Sequence, residues 1–312
     1  MISVRFEDFW PGFQPHDFLL PLFEEALGQP IEVEQRLFAS VDIRVRSVFT
    51  PRAKRFTERL IRKGSRILER KPKQLHGPGR LNIWFTGENV RPPVSGFDLT
   101  FSYDVDDYGG SNVYLPLAVT RLDWWTMDRD GAEARRTGIK ANPSLVHKQR
   151  SSVTSSRPKF ACAFLSNPEP TRMRAITMLS EIGQVDAFGP AFGRPIPSKA
   201  GVAENYRHFI CFENDLFPGY ITEKVVDAWL LQCVPLWWGL DKARLLNEAA
   251  IVNASDFTDL ASFVEAVARL AEDADRIDSI ASAPLFAQPA TLVPATNAIR
   301  ETWTRVSEVS LG

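Results

Sequence analysis

Between His208 and Gly239 the chain reads HFICFENDLFPGYITEKVVDAWLLQCVPLWWG, and its polar residues have the types and spacing to bind an anion. Glu213 and Asn214 close the apolar run 209–212, while Tyr220, Thr222, Glu223 and Lys224 stand where a helix should begin. The first turn of a helix carries partial positive charge from unpaired N–H groups and ordinarily favours acids, so a lysine there is in conflict with its own backbone. A diphosphate docked on that turn removes the conflict, held by backbone N–H groups and the Lys224 ammonium. The plainer alternative is that Glu223 offsets Lys224 and both are solvated.

The elements that would position these groups form a βαβ unit. Residues 209–212 suit a strand buried on both faces, the Asp, Pro and Gly of 214–220 a loop, and Thr222 an N-cap for a helix through Val225, Val226, Ala228, Trp229 and Leu230. Residues 234–238 restore a strand, with Pro235 tolerated near its start or at an edge. Parallel strands joined by a helix put their carboxyl ends and the helix N-terminus on one rim, where open α/β sheets bind ligands.

In the first half, residues 2–6 read as a strand leading into the aromatic turn DFWPGF, 17–27 as an amphipathic helix, 31–33 and the alternating VDIRVRSVF as strands. Residues 52–73 are basic with apolar residues along one side, which predicts a solvated helix packed on the sheet or, alternatively, a helix on an anionic membrane face. The strand LNIWF runs into Thr86-Gly87-Glu88-Asn89-Val90-Arg91, placing Glu88 at a strand's carboxyl end. A further strand follows Gly96, then the acidic loop with Asp104, Asp106 and Asp107, and residues 122–127 read as helical. HKQRSSVTSSRPK has linker composition, so the chain divides into domains 1–150 and 151–312, with the last helix packing back across the first half. In the second half, strands 160–165 and 185–188 flank a helix over 171–182. Further helices are expected after Asp241, Phe257 and Asp273, with a strand at AAIV and a last helix over 297–309. Two α/β sheets meeting at a cleft is the expected architecture.

The bulk properties agree with an α/β protein of this size. The chain has 312 residues, 44% hydrophobic, enough for two cores. Lys plus Arg number 37 against 38 Asp plus Glu, so no basic field points to nucleic acid. Cys162, Cys211 and Cys233 sit in apolar runs without the close spacing of a zinc or redox motif and read as buried thiols. The opening MISVRFEDFW interrupts any secretion-type apolar core, and no later stretch is long enough to span a bilayer. This favours the cytoplasm, with weak peripheral attachment at the inner face of the membrane as the alternative.

The residues now match a known family: the chain resembles the bacterial α-1,3/4-fucosyltransferases of glycosyltransferase family 10. The family's donor motif stands as Phe212-Glu213-Asn214 and Tyr220-Ile221-Thr222-Glu223-Lys224, its V-P-x-x-x-G as Val234-Pro235 with Gly239, and its apolar–DF element as Ile251-Val252 with Asp256-Phe257. Thr86-Gly87-Glu88-Asn89 is similar to its acceptor-side motif and RFEDFWPGF to its first strand and turn. The resemblance implies a GT-B fold, two Rossmann-like domains facing across a cleft, with the N-terminal domain binding acceptor and the C-terminal one GDP-fucose. It implies inverting transfer of fucose to a hydroxyl of an N-acetylglucosamine or glucose unit, with no cofactor and no essential divalent metal. Glu88 is then the base, with Glu223 and Lys224 acting on the departing sugar and diphosphate. The donor site would comprise Arg172 or Arg174, which follow Ser166-Asn167-Pro168, with Asn214, Tyr220, Thr222, Glu223 and Lys224; Arg172 has the better spacing to Leu179. Trp10, Phe13, Asn89 and Arg91 would hold the acceptor.

Two rivals remain. Asp104-Val-Asp106 could hold a divalent metal in a transferase of the other fold type, although the same residues read as a plain polar loop. A protein that binds sugar nucleotide without turnover would keep Lys224 and Asn214 and have no need of Glu88.

Overall fold

The computed structural model describes residues 1–36, 39–49, 79–125 and 142–309, in two compact units. The expected basic helix over 52–73, with its membrane-face alternative, lies outside the described residues, as do 126–141.

The first unit takes Met1–Leu115 and Leu292–Gly312. Its strands β1 (Ile2–Glu7), β2 (Ile31–Val33), β3 (Val41–Arg46), β4 (Gly79–Phe85), β5 (Leu99–Ser102) and β6 (Asn112–Tyr114) pair in parallel in the order β2-β1-β3-β4-β5-β6. One alternation of the central strands, with Val4, Ile43, Val45, Leu81, Ile83 and Phe101, is wholly buried apolar surface. The other alternation is charged and still buried: Glu7 pairs with Arg44 at 2.9 Å, next to Arg5 and Arg46. Helix α1 (Leu19–Leu27) lays Phe23 against Phe6, and the C-terminal helix (Val293–Val309) returns to this unit, where Arg300 Nε donates to Ala26 O at 3.2 Å.

The second unit, Pro116–Thr291, contains the position after residue 150 where the composition predicts a boundary. Its strands β7 (Lys159–Phe164), β8 (Val185–Phe188), β9 (Tyr206–Ile210), β10 (Val234–Trp237) and β11 (Val252–Asn253) are parallel in the order β11-β10-β9-β7-β8. Its helices, numbered on from α1, are α2 (Leu117–Thr120), α3 (Pro170–Leu179), α4 (Ala200–Ala203), α5 (Glu223–Leu230), α6 (Leu260–Ala271) and α7 (Ala274–Ser282), so that Val293–Val309 is α8. Pro235 is tolerated inside β10 because β11 begins pairing only at Leu236.

The segment with linker composition is bolted down. Arg150 donates to Trp229 O at 2.7 Å and Ala281 O at 2.9 Å, Arg157 to Ala203 O at 3.2 Å and Leu231 O at 3.1 Å, and Asp278 accepts from Ser152 and Ser155. Those carbonyls lie at the C-terminal ends of α4, α5 and α7, where the helix dipole attracts cations.

Among the described residues two expected helices do not form. Residues 122–125 form a turn after α2, because Arg121 is drawn into a buried ion pair with Asp227 at 2.9 Å and Trp124 Nε1 closes on Val119 O at 3.0 Å. After Asp241 the chain also turns: its carboxylate takes the N–H groups of Leu245 at 3.0 Å and Leu246 at 2.6 Å, and Arg244 adopts φ +54°.

All three cysteines are buried and free. His208 in β9 has no exposure; its Nδ1 lies 2.9 Å from Phe160 O. Burial pulls its pKa down to about 4, only partly opposed by that contact. Above about pH 6.5 the ring is neutral in both folded and unfolded chain and the linkage is silent. As pH falls from there to about 4, the unfolded chain takes a proton that the folded one refuses, so stability is lost across that window. In urea denaturation, wild type should therefore lose on the order of 3 kcal/mol more than His208→Gln between about pH 7 and pH 4. Equal losses would show that the pocket admits the proton.

Candidate functional site

In the second sheet the strand order reverses between β7 and β9, and the crevice beyond their carboxyl ends is the topological switch point where open α/β sheets bind ligands. The chain leaving β9 stays paired to the β10 side as far as Glu213, through Cys211 N to Leu236 O at 2.9 Å and Glu213 N to Trp238 O at 3.1 Å. It then loops out and returns through Gly219, at φ +88°, whose N–H donates to Leu240 O at 2.7 Å. Thr222 caps α5, as its position predicts, and its Oγ1 accepts from Lys224 N at 3.4 Å.

A residue absent from the expected site anchors this turn. Glu213, with no exposure, accepts four hydrogen bonds: Oε1 from Thr222 N at 2.8 Å and Trp237 Nε1 at 3.2 Å, Oε2 from Thr222 Oγ1 at 2.7 Å and Lys224 Nζ at 3.3 Å. A buried carboxylate persists only with such partners. The signal was available, since an acid closing a buried strand must find cations or N–H groups, and the helix start supplies both. Gly239 makes room for Trp237: a Cβ there would sit 2.1 Å from the indole.

Lys224 Nζ also donates to Thr222 Oγ1 at 2.9 Å, and its side chain keeps 19% exposure. Burial works against the ammonium, but the carboxylates of Glu213 and Glu223 outweigh burial and nearby Arg172, and its pKa lies above the ordinary lysine value. Arg172, on α3 beyond β7, reaches across the switch point. Its Nε donates to Phe212 O at 3.1 Å and Glu213 O at 3.2 Å, and Nη2 to Phe212 O at 2.9 Å and to Asn214 Oδ1. Nη1 makes one long contact, 3.5 Å to Asn167 O. Burial lowers the Arg172 pKa, opposed by the charges of Glu213, Glu169, Tyr220 and Glu223 around it. Arg172, Asn214, Tyr220, Thr222, Glu223 and Lys224 are thus brought together. Arg174, two residues along α3, is exposed, and its charge acts on Asp259.

The first unit places its expected residues on the rim of its own sheet. Phe9, Trp10, Phe13 and Phe49 form an aromatic cluster, with Trp10 edge-on to Phe13 at 4.9 Å and to Phe49 at 5.9 Å. Trp10 lies so close to Gly87 that a Cβ on that residue would be 2.9 Å from its ring; Glu88 follows, half-buried. Arg91 donates to Asn89 Oδ1 at 3.2 Å and Tyr103 OH at 2.9 Å, tying the Glu88 loop to the end of β5. In the acidic loop, Asp104 accepts from Tyr108 OH at 2.7 Å and Asp106 N at 3.2 Å, and Asn112 donates to the carbonyls of Asp104 and Asp106, so these acids build the turn. Among the described residues no group of three or more His, Cys, Asp or Glu is placed to hold a metal ion.

Residues 154–279 match the family model described as glycosyltransferase family 10 (fucosyltransferase), C-terminal. The chain is 26% identical over 196 residues to α-(1,3)-fucosyltransferase FucT of Helicobacter pylori, covering 56% of this chain and 41% of that protein. It is 28% identical over 212 residues to 4-galactosyl-N-acetylglucosaminide 3-α-L-fucosyltransferase 9 of Mus musculus, covering 63% and 52%. It therefore spans about half or less of the length of these curated relatives. A crystal structure of α1,3-fucosyltransferase superposes with TM-score 0.69 at 18% identity over 98% of this chain and 90% of that one, and one with GDP-fucose with TM-score 0.65 at 17% identity. The fold is of this GT-B type, built here from two parallel-sheet α/β units.

The contrast between the two arginines is measurable. Arg172→Ala strips donors from the buried carbonyls of Phe212 and Glu213 and should cost about 3 kcal/mol in chemical denaturation. Arg174→Ala should stay within about 0.5 kcal/mol of wild type. Equal effects would contradict the geometry.

Proposed function

We propose that this chain, a member of glycosyltransferase family 10 through residues 154–279, is an inverting α-1,3-fucosyltransferase that moves fucose from GDP-fucose to a hydroxyl of an N-acetylglucosamine or glucose unit. The observation that carries this reading is the placement of Lys224 and Arg172 across a switch point, at the N-terminus of α5, where a diphosphate meets two cations and the positive end of a helix dipole. The relatives are named as fucosyltransferases, and one superposed crystal structure contains GDP-fucose.

In this reading the second unit holds the donor. Charge develops on the diphosphate as the glycosidic bond breaks, and Lys224, Arg172 Nη1 and the N–H groups of α5 stabilise it. Asn214, Tyr220 and Glu223 contact ribose, phosphate or fucose, with Glu223 facing the oxocarbenium-like sugar. The first unit binds the acceptor through Trp10, Phe13, Asn89 and Arg91, whose aromatic rings and amide groups suit a sugar's apolar face and hydroxyls. Glu88 removes the acceptor proton while the leaving group departs from the opposite face, which inverts the anomeric centre. No divalent metal is needed because the cations are built in, and the acidic loop at Asp104 and Asp106 has a turn-forming role. Among the described residues no helix is long and apolar enough to cross a membrane; a cytoplasmic location with weak peripheral attachment belongs to this proposal.

Incubation with GDP-fucose and a panel of N-acetylglucosamine and glucose acceptors, read by mass spectrometry and NMR linkage analysis, should yield an α-fucoside in the presence of EDTA. Glu88→Gln should keep GDP affinity and lose about 100-fold or more in transfer rate. Transfer at the wild-type rate in that variant would remove Glu88 from the mechanism, and abolition by EDTA would favour a metal-dependent reaction.

A further inference from the structure

Lysine side chains are flexible, and a strongly hydrated ammonium has little intrinsic reason to hold one place over a helix start. In this structure Lys224 Nζ is held twice, at 2.9 Å by Thr222 Oγ1 and at 3.3 Å by Glu213 Oε2. We infer that Glu213 is a positioning residue, whose buried carboxylate aims the Lys224 ammonium at the anion of the donor; this rests on the donor reading above.

The hydrogen-bond polarity makes the carboxylate necessary. Thr222 Oγ1 gives its single proton to Glu213 Oε2 at 2.7 Å, which leaves its lone pairs for Lys224 N at 3.4 Å and Lys224 Nζ at 2.9 Å. Glu213 thereby holds the ammonium directly and also orients the hydroxyl that holds it. An ammonium has three N–H bonds, and with two directed at Oγ1 and Oε2 the third remains for a ligand on the exposed side.

A glutamine at this position cannot substitute. Its carbonyl would have to occupy the Oε1 place, because two N–H donors, Thr222 N and Trp237 Nε1, converge there. The amide nitrogen would then face Thr222 Oγ1 and Lys224 Nζ, donor against donor, turning the hydroxyl around and expelling the ammonium. Of the charged groups that act on Lys224, Glu223 is its own neighbour on α5 and Arg172 approaches from α3 with like charge, so Glu213 is the one that holds it by a hydrogen bond.

Isothermal calorimetry with GDP on wild type, E213Q, K224M and the double variant tests this, with thermal denaturation run alongside. E213Q should bind GDP about tenfold or more weakly. The double variant should bind no more weakly than K224M alone, since Glu213 acts through that lysine. With GDP-fucose, the E213Q loss should fall on KM as well as kcat. GDP binding by folded E213Q at wild-type affinity, or losses that add fully in the double variant, would overturn the inference. If E213Q alone does not fold, removal of both charges in the double variant should restore folding; an unfolded double variant would make Glu213 a scaffold residue and overturn the inference. Failure of wild type to bind GDP would instead overturn the donor reading itself.

Discussion

A buried carboxylate with four donors joins the end of one strand to the beginning of the next helix, and the geometry of the second unit's candidate site depends on that junction. Glu213 ties together Thr222, Lys224 and the Trp237 indole, so the carboxyl end of β9, the N-terminus of α5 and the end of β10 meet at one residue. Isolated in a protein interior, such a charge would be prohibitively costly. With one ammonium, one backbone N–H, one hydroxyl and one indole N–H donating to it, the charge is tolerated, and it excludes any arrangement of the turn that removes a donor. The gain is geometric: groups on separate elements acquire a fixed relation at the sheet's crevice.

The same device recurs where other elements must be fixed. Asp227, wholly buried on α5, pairs with Arg121 at 2.9 Å and Lys199 at 2.6 Å, holding the segment after α2 and the start of α4 to the helix that bears Lys224. Ala118 N adds a bond to Ile221 O at 3.1 Å, directly before the cap. At the far end of α5, Arg150 lies 3.4 Å over the Trp229 ring while donating to its carbonyl, and Arg157 binds Leu231 O. Both ends of α5 are therefore held by charge: an acid and a lysine at its start, guanidinium groups at its finish. In the first unit Glu7 and Arg44 do the equivalent between β1 and β3, beneath the loop that carries Trp10.

Much of this was legible in the sequence. Apolar runs bounded by Gly, Pro and Asn marked most strands, and Thr222 and the SNPEP turn marked helix starts, the latter closed by Glu169, which accepts from Thr171 N and Arg172 N. The alternating parallel pattern followed from strands separated by helices. What could not be read were interactions set by distant partners. Ser152, Thr154 and Ser155 look like linker residues until Asp278 and the Gln232 carbonyl are placed beside them. The helix expected over 122–127 depends on a residue more than a hundred positions away, since Arg121 answers to Asp227. Glu213 was visible as a strand-closing acid, yet its four donors come from the start of α5 and from Trp237 in β10, and no local spacing rule counts them. Arg172 and Arg174 were equally basic on paper; burial separates them, because α3 turns one toward β9 and the other toward solvent.

The electrostatics of the cleared turn point in one direction. Lys224 and Arg172 bring two positive charges and α5 a partial third, against Glu213 below and Glu223 beside them. Glu213 is fully committed to its four donors, so it neutralises part of this charge while holding Thr222 and Lys224 in place. Arg172 spends Nε and Nη2 on Phe212, Glu213 and Asn214, and these bonds hold Nη1 in place while leaving it lightly used. Two cations fixed by the protein's own hydrogen bonds lose little further freedom when an anion arrives, and an anion is what a helix N-terminus flanked by such cations favours. The turn's cations are therefore organised by the protein's own bonds, and the carboxylate beneath them is the reason.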